Sequence, residues 1–261
     1  MKAYQAIEKY KRNIVKNNVF MMDSLEEETK YINHNKYRYM EALAALDVLF
    51  SKKHDLNLLD IGTSPFTFIL KKRYKNIKIY TLDYTDKFKS FCQSKKIIFK
   101  KVDLSKNTIP FSEGMFRIVT FLEVIEHVDI KHDKLLLNVG KIMATNGFCI
   151  LQTPNKYSPK SIISNFLGLK FWKILSESPT IGKEFRHVKE YSLKELTHLI
   201  GKQKIFEVVK KKHSMYFDEV ESAIVYRKNI KFSVALIRAN YFLVKKIAFL
   251  RRGMQLILRK K

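Results

Sequence analysis

Apolar residues along the chain gather into short strand-like runs, each followed by an acid, a glycine or a turn signal. Asn57-Leu58-Leu59-Asp60-Ile61-Gly62 is the first, and the alternating, β-branched run Ile77–Asp83 is the second. Ile97–Asp103 and Phe116–Leu122 follow, the latter leading into Glu123-Val124-Ile125-Glu126-His127-Val128. Gly147–Asn155 is the fifth run and closes on the turn-forming pair Pro154-Asn155. Helix-length segments separate all of them, and such alternation predicts an α/β fold with a mostly parallel sheet and helices on both faces. Before the first run, Tyr4–Val19 has a polar-rich helical pattern broken by Asn17-Asn18. Met40, Leu43, Leu46 and Phe50 then form an apolar helical stripe. Residues 1–53 therefore read as a helical cap on a main domain spanning 54–228. An insertion at 156–185 carries Phe166, Leu167, Leu169, Phe171, Trp172 and Leu175, an apolar set suited to a pocket lid or an acyl-facing surface. There is no internal repeat and no low-complexity linker, so the simplest organisation is one domain with insertions.

The tail has a different pattern. From Ser222 to Lys261 there is no Asp or Glu but there are 11 Lys or Arg, and Lys231, Arg238, Lys245, Arg252 and Arg259 recur every seven residues. Seven residues are close to two helical turns, so residues 229–261 are expected to form a basic amphipathic helix. Phe232, Leu236, Phe242, Leu243, Ile247, Phe249, Leu250, Leu256 and Leu258 would make its wide apolar face. That pattern suits a helix lying on an anionic membrane surface through residues 230–261, and equally a helix docked on the domain. The whole chain carries 50 basic against 25 acidic residues, a net charge of +25. Part of that excess follows from a composition rich in Lys, Asn, Ile, Phe and Tyr; the rest points to an anionic partner. No basic–aromatic interleaving outside the tail marks a nucleic-acid module, so nucleic acid is not the expected partner. Two separated cysteines, Cys92 and Cys149, argue against a disulfide scaffold or structural zinc. The absence of a signal-like or membrane-spanning run leads to a cytoplasmic expectation, with possible residence at the inner face of the membrane.

Candidate chemistry begins with Asp83, which lies 21 residues beyond Gly62. An acid at this spacing after a glycine turn is where doubly wound folds hold a ribose hydroxyl. The turn Gly62-Thr63-Ser64-Pro65-Phe66 lacks the G-x-G-x-x-G that suits a pyrophosphate, so a ribose without phosphates fits better, and S-adenosylmethionine is such a molecule. Asp60, Asp83, Asp103, Glu123 and Asn155 would all fall at carboxyl ends of strands, where such sheets bind ligands.

The order D-I-G, T-L-D, V-D-L with Pro110-Phe111, E-V-I-E-H-V and T-P-N resembles the class I S-adenosylmethionine-dependent methyltransferases, over residues 55–227. Arg186-His187-Val188-Lys189-Glu190-Tyr191-Ser192-Leu193-Lys194-Glu195-Leu196 resembles a segment of the methyltransferases of bacterial surface-polysaccharide gene clusters. Ubiquinone-biosynthesis O-methyltransferases are similar as well. The resemblance implies the Rossmann-like class I fold and S-adenosyl-L-methionine as cofactor. Asp83 would hold the ribose diol, Asp103 and the Leu104 backbone would face the adenine, Asp60 and Gly62 would frame the methionine end, and Ser64, Tyr84 and Glu123 would complete the cofactor site. One departure is that Thr63, Ser64 and Pro65 stand where the family usually places further glycines.

Methyl transfer from a sulfonium needs positioning and, for a hydroxyl acceptor, a group to take the proton. His127 is the leading candidate base and His187 the second, because imidazole titrates near neutral pH. Segments similar to Glu123-x-x-Glu126-His127 bind a divalent ion in small-RNA 2′-O-methyltransferases and in some ubiquinone-pathway enzymes, where His187 would be the matching later ligand. The reading adopted is metal-free, with acid and imidazole shaping the acceptor pocket. The expected function is O-methylation of a sugar, a lipid-linked glycan precursor or a similar small molecule. The alternatives are an RNA methyltransferase, favoured by the charge, and a catalytically inactive binding protein, favoured by the glycine-poor loop.

Overall fold

A computed structural model describes residues 2–50, 56–159, 161–162, 187–214, 242 and 244–261. Seven strands form one sheet: β1 (Asn57–Ile61), β2 (Lys78–Asp83), β3 (Ile98–Lys101), β4 (Phe116–Leu122), β5 (Met143–Pro154), β6 (Phe206–Ser214) and β7 (Gly253–Lys260). Their spatial order is β3-β2-β1-β4-β5-β7-β6. The first five pair in parallel, whereas β7 is antiparallel to both β5 and β6. The strand order reverses between β1 and β4, which puts the ligand crevice of such a sheet above their carboxyl ends.

The expected β1, β2 and β4 match to within about a residue at each end, because both faces of these strands are buried and apolar runs mark them, whereas the exposed β3 stops two residues short of the expected Asp103. Helices α1 (Ala3–Asn17), α2 (Leu25–Phe50), α3 (Pro65–Arg73), α4 (Lys89–Ser94), α5 (His132–Ile142) and α6 (Leu193–Lys202) supply the layers. Asn18, in the left-handed region at φ 49°, ends α1, as the Asn17-Asn18 break predicts. In α2, Leu43 and Leu46 are fully buried on the core side, beside Ile7, Ile14, Leu58 and Phe66. Glu28 is also fully buried: it accepts the Tyr10 hydroxyl at 2.8 Å and the amides of Met21 and Met22 at 2.5 and 3.1 Å. That carboxylate ties the α1–α2 connection together, and its loss would strand three donors.

The structure corrects the expected C-terminal helix. Within the described part of 229–261, Val244–Lys246 is helical and Ala248–Leu250 forms a 3-10 turn, but Gly253–Lys260 is a strand. It sits between β5 and β6, with Gly253, Met254, Gln255, Leu256 and Leu258 buried. A strand buried in the middle of a sheet gains both ladders and both faces, which outweighs the helical period of the flanking basic residues. Arg259 therefore lies on β7 and pairs with Glu207 of β6 instead of joining a helical stripe. The 229–261 segment is thus not a separate appendage, since its last strand belongs to the sheet. The rest of that tail, 229–241 and 243, and the insertion between 163 and 185 lie outside the described residues. Among the described residues, no helix is long and apolar enough to cross a membrane.

Candidate functional site

At the carboxyl end of β1 the chain turns at Gly62, whose φ of +89° favours glycine. A Cβ there would meet Val124 Cγ2 at 2.6 Å, so the glycine also lets the β4 turn pack against it. The side chains replacing the expected further glycines point into the protein. Thr63 is 7% exposed and its hydroxyl lies 2.9 Å from that of Thr81 on β2. Ser64 caps α3, accepting the Phe66 amide at 3.2 Å, while its own amide donates to Thr67 Oγ1 at 3.1 Å. Phe66 packs its ring 5.0 Å from that of Tyr39 on α2. The bulkier loop therefore does not fill the crevice.

Asp83 ends β2, partly exposed, and holds this loop: its Oδ2 accepts the Thr63 amide at 2.9 Å and its Oδ1 the Thr85 amide at 3.1 Å. The Tyr84 amide bonds to it as well, so three of the carboxylate's roughly four lone pairs are used and one stays for a ribose hydroxyl. Burial raises its pKa while these amides oppose the rise. Tyr84 beside it is half exposed. After β3, Asp103 Oδ1 accepts the amide and hydroxyl of Ser105 at 3.0 and 2.6 Å, which with the Lys106 ammonium at 3.4 Å holds its pKa below the ordinary value. The adjoining Leu104 is buried.

Asp60 does not face the crevice. It is 1% exposed, and its two oxygens accept the hydroxyls of Thr120 and Thr67, each at 2.6 Å. Burial pushes its pKa up to about 7. Its role is to brace β1, β4 and α3 beneath the Gly62 turn, a role that a sequence position at the strand end could not separate from ligand contact.

After β4 the backbone enters the left-handed region at Glu123, φ 55°, and then forms a short 3-10 turn over Ile125–His127. Glu123 and Glu126 consequently do not share a helix face, although their i, i+3 spacing would allow one. Glu123 turns toward Arg38 of α2, 3.5 Å away, whereas Glu126 is fully buried and accepts the Thr153 hydroxyl at 3.0 Å through Oε2. Glu126 Oε1 is buried without a hydrogen-bond partner, and burial together with the nearby Glu123 charge pushes the pKa of Glu126 well above the carboxylate range.

The two candidate imidazoles meet here. Val188 and Lys189 donate their amides to the Glu126 carbonyl at 2.7 and 3.3 Å, and Asn155 bridges to Tyr191, so the 187–191 segment is stitched to the ends of β4 and β5. His127 and His187 stand edge to face with ring centroids 4.8 Å apart, and His127 Nε2 is 3.9 Å from Glu126 Oε1. His187 Nδ1 lies 2.6 Å from Glu190 Oε1. An ionised carboxylate only accepts, so Nδ1 carries the hydrogen and Nε2 keeps the lone pair. Ligand atoms of Glu126, His127 and His187 all lie within 4.8 Å of one another. Sequence reasoning missed Arg38, Thr153 and the Glu190 contact; only the i, i+3 spacing of His187 and Glu190 hinted at the last.

Residues 31–211 match a family described as a methyltransferase domain, and the chain belongs to that family. Among solved structures, one like it is an S-adenosylmethionine-dependent methyltransferase from Archaeoglobus fulgidus, at 19% identity and TM-score 0.55, covering 87% of this chain and 97% of that one. A possible histamine N-methyltransferase from Thermotoga maritima is similar at 14% identity and TM-score 0.56, over 91% and 96% of the two chains. The N-methyltransferase NodS from Bradyrhizobium japonicum WM9, solved with S-adenosyl-L-homocysteine, is similar at 11% identity and TM-score 0.53, over 100% and 99%. Identities this low carry the fold alone, which is the class I methyltransferase fold. No curated protein matches the chain.

Proposed function

We propose that the chain is an S-adenosylmethionine-dependent methyltransferase that methylates a hydroxyl of a small molecule, a sugar or a lipid-linked glycan precursor. Bound S-adenosylmethionine supplies a methyl group on a sulfonium that leaves as a neutral thioether. Gly62, Asp83, Tyr84, Asp103 and Leu104 form its cradle, with the diol on Asp83 and the adenine beside Asp103 and Leu104. The observation that carries the oxygen-acceptor reading is the Glu190–His187 pair facing His127. Glu190 fixes the His187 tautomer, leaving Nε2 to take the acceptor proton as the oxygen–methyl bond forms, and it steadies the resulting imidazolium. A preference for a lipid-linked acceptor is supported by Phe242 and Phe249, 60% and 56% exposed beside Lys245 and Lys246, a surface suited to anionic headgroups.

The test is transfer of a labelled methyl group to lipid-linked glycan acceptors, with RNA as the competing substrate. His187→Gln and His127→Gln should each lower turnover roughly 10²-fold while S-adenosylhomocysteine affinity survives. Methylation of RNA, or of amines with turnover indifferent to both changes, would refute the oxygen-acceptor reading.

A second reading rests on Glu126 Oε1, a buried carboxylate oxygen without a partner beside two imidazoles. Two imidazoles and a carboxylate suit Mn²⁺, Fe²⁺ or Zn²⁺, and Glu190 would orient His187 as an outer-shell carboxylate does. Chelation that abolishes turnover, reversed by one of these ions, would establish it over the metal-free form.

A further inference from the structure

The basic tail ends in a central strand, so the net charge of +25 needs another place, and one lies on the face covered by α1 to α4. On α1, Ala6, Ile7, Tyr10 and Ile14 are buried against the core. The opposite side of the helix presents Lys9, Arg12 and Lys16, all exposed and spaced by three and four residues. Lys72 in the last turn of α3 and Lys95 at the C-cap of α4 lie close to that stripe. Burial lowers the pKa of Lys72, and the charges of Lys9 and Lys95 lower it further. Nearby carboxylates are taken: Glu8 by Lys11 at 3.3 Å, and Asp47 by Arg73 at 2.6 Å. Lys95 lies over the Phe91 ring, 5.2 Å from its centroid. Among the described residues, none of these five cations has a carboxylate partner.

Like charges gathered on one surface repel and cost stability unless an anion meets them. That anion is not the methyl acceptor. α3 starts at the Gly62 turn and runs away from it, and α4 leads back to the start of β3. Lys72 and Lys95 therefore lie toward the amino ends of the strands, whereas the crevice is at their carboxyl ends. Two observations select a lipid bilayer over a nucleic acid. First, residues 71–101 carry 11 Lys or Arg against two acids, and ten of the 11 are Lys. A Lys ammonium is a point charge that suits diffuse attraction to headgroups, while nucleic-acid recognition favours the guanidinium fork. Second, exposed apolar side chains flank the stripe on the same helix, Tyr4 at 47% and Val15 at 58%, as suits the boundary between headgroups and acyl chains.

We propose that the outer face of α1, together with the ends of α3 and α4, docks the protein on an anionic lipid bilayer. Lys9, Arg12, Lys16, Lys72 and Lys95 meet the headgroups, and Tyr4 and Val15 enter the interface beside them. The surface uses other elements than Phe242 and Phe249, and it does not depend on which acceptor the crevice takes.

Flotation of the full chain with vesicles of phosphatidylcholine, alone or mixed with phosphatidylglycerol, tests it. Binding is expected to the mixed vesicles only, and added salt should weaken it by screening. Combining Lys9→Gln, Arg12→Gln, Lys16→Gln, Lys72→Gln and Lys95→Gln should lower partition roughly 10²-fold or more. The control removes as much charge from the opposite face of the sheet, around α5 and α6, through Lys131→Gln, Lys134→Gln, Lys141→Gln, Lys194→Gln and Lys202→Gln. It should bind within about threefold of the parent, because exposed charges more than a Debye length from the bilayer are screened. Cys92 and Cys149 are buried, so Val15→Cys takes a polarity-sensitive dye at that position alone. Its emission should shift to the blue on mixed vesicles, while a dye on Leu137→Cys of α5 should not respond. Equal loss in both charge variants would reduce the effect to net charge and overturn the docking face. A parent that does not float, or a silent dye at position 15, would overturn it even if the combined variant failed to fold. RNA that shifts the parent but not the combined variant, without vesicle binding, would overturn it in favour of nucleic acid.

Discussion

Between Asn57 and Leu122 the chain lays down four parallel strands in succession, and the turns after β2 and β3 are set by nearby groups. Asp83 takes the amides of Thr63 and Thr85, and Asp103 takes the amide and hydroxyl of Ser105. The other half of the sheet is assembled from distant parts. β5 pairs with a strand that begins at Gly253, and Asn155 at its end donates to the carbonyls of Phe249 and Arg251 at 2.7 and 2.8 Å. Glu126 is held by Thr153 and by the amides of Val188 and Lys189, and His132 by Tyr191. The proposed nucleoside cradle thus rests largely on backbone amides, whereas the proposed acceptor side depends on long-range side-chain contacts.

Deleting residues 253–261 should produce the largest effect. It removes a strand that lies between β5 and β6 and buries Met254, Leu256 and Leu258, so no folded protein is expected by circular dichroism. Leu256→Ala alone should lower stability by about 2–5 kcal/mol in denaturant titration, because the residue is fully buried in the main cluster. A truncated chain that melts like the intact one would show that β7 is dispensable and would dissolve the contrast between the halves.

Asp83→Ala should weaken S-adenosylhomocysteine at least tenfold, about 1.4 kcal/mol. The Thr63 and Thr85 amides also lose their acceptor, so Asp83→Asn separates the two roles: one side-chain oxygen still accepts while the charge is gone. Calorimetry that finds both variants binding like the parent would detach Asp83 from the ribose and leave it a loop brace only.

The same contrast explains what could be read from the chain. Strands β1, β2 and β4 were legible because burial on both faces leaves continuous apolar runs, and the exposed edge strand β3 because its short apolar run leads into Asp103; Gly62 and Asp83 were legible because they close their runs. β7 was not. Met254, Leu256 and Leu258 alternate as a strand should, yet Arg252 and Arg259 complete a seven-residue series that reads equally well as a helix. The period alone could not choose, and the gain from central burial decided. Likewise Glu123-x-x-Glu126 has helical spacing, but the backbone enters the left-handed region at Glu123 and sends the two acids apart. Asp60 lies at the expected strand end, but its buried bonds to threonine hydroxyls of β4 and α3 are tertiary contacts that left no mark in the sequence around it. Arg38 left no signal at all: a single arginine in a helix reads as surface.

The smallest effect concerns pH and the acceptor side. His132 Nε2 lies 3.0 Å from the Val128 carbonyl, which can only accept, so Nε2 carries the hydrogen and Nδ1 accepts the Tyr191 hydroxyl at 2.6 Å. This arrangement requires neutral imidazole, and burial lowers its pKa from the ordinary value, with the Lys189 charge acting the same way and Asp133 opposing. Below the unfolded-state value, about 6.5, the unfolded chain takes up a proton that the folded protein resists. The contribution is therefore complete above that pH and declines as pH falls through it. His132→Gln cannot titrate, so its melting temperature should lie below that of the parent at pH 7.5 and approach it at pH 5.5. Comparing the two proteins at each pH cancels other titrating groups, including Asp60 and Glu126, whose raised values make stability fall with rising pH instead. A gap in melting temperature that stays constant across this range would mean that His132 protonates alike in both states, and that the Tyr191 contact does not depend on its tautomer.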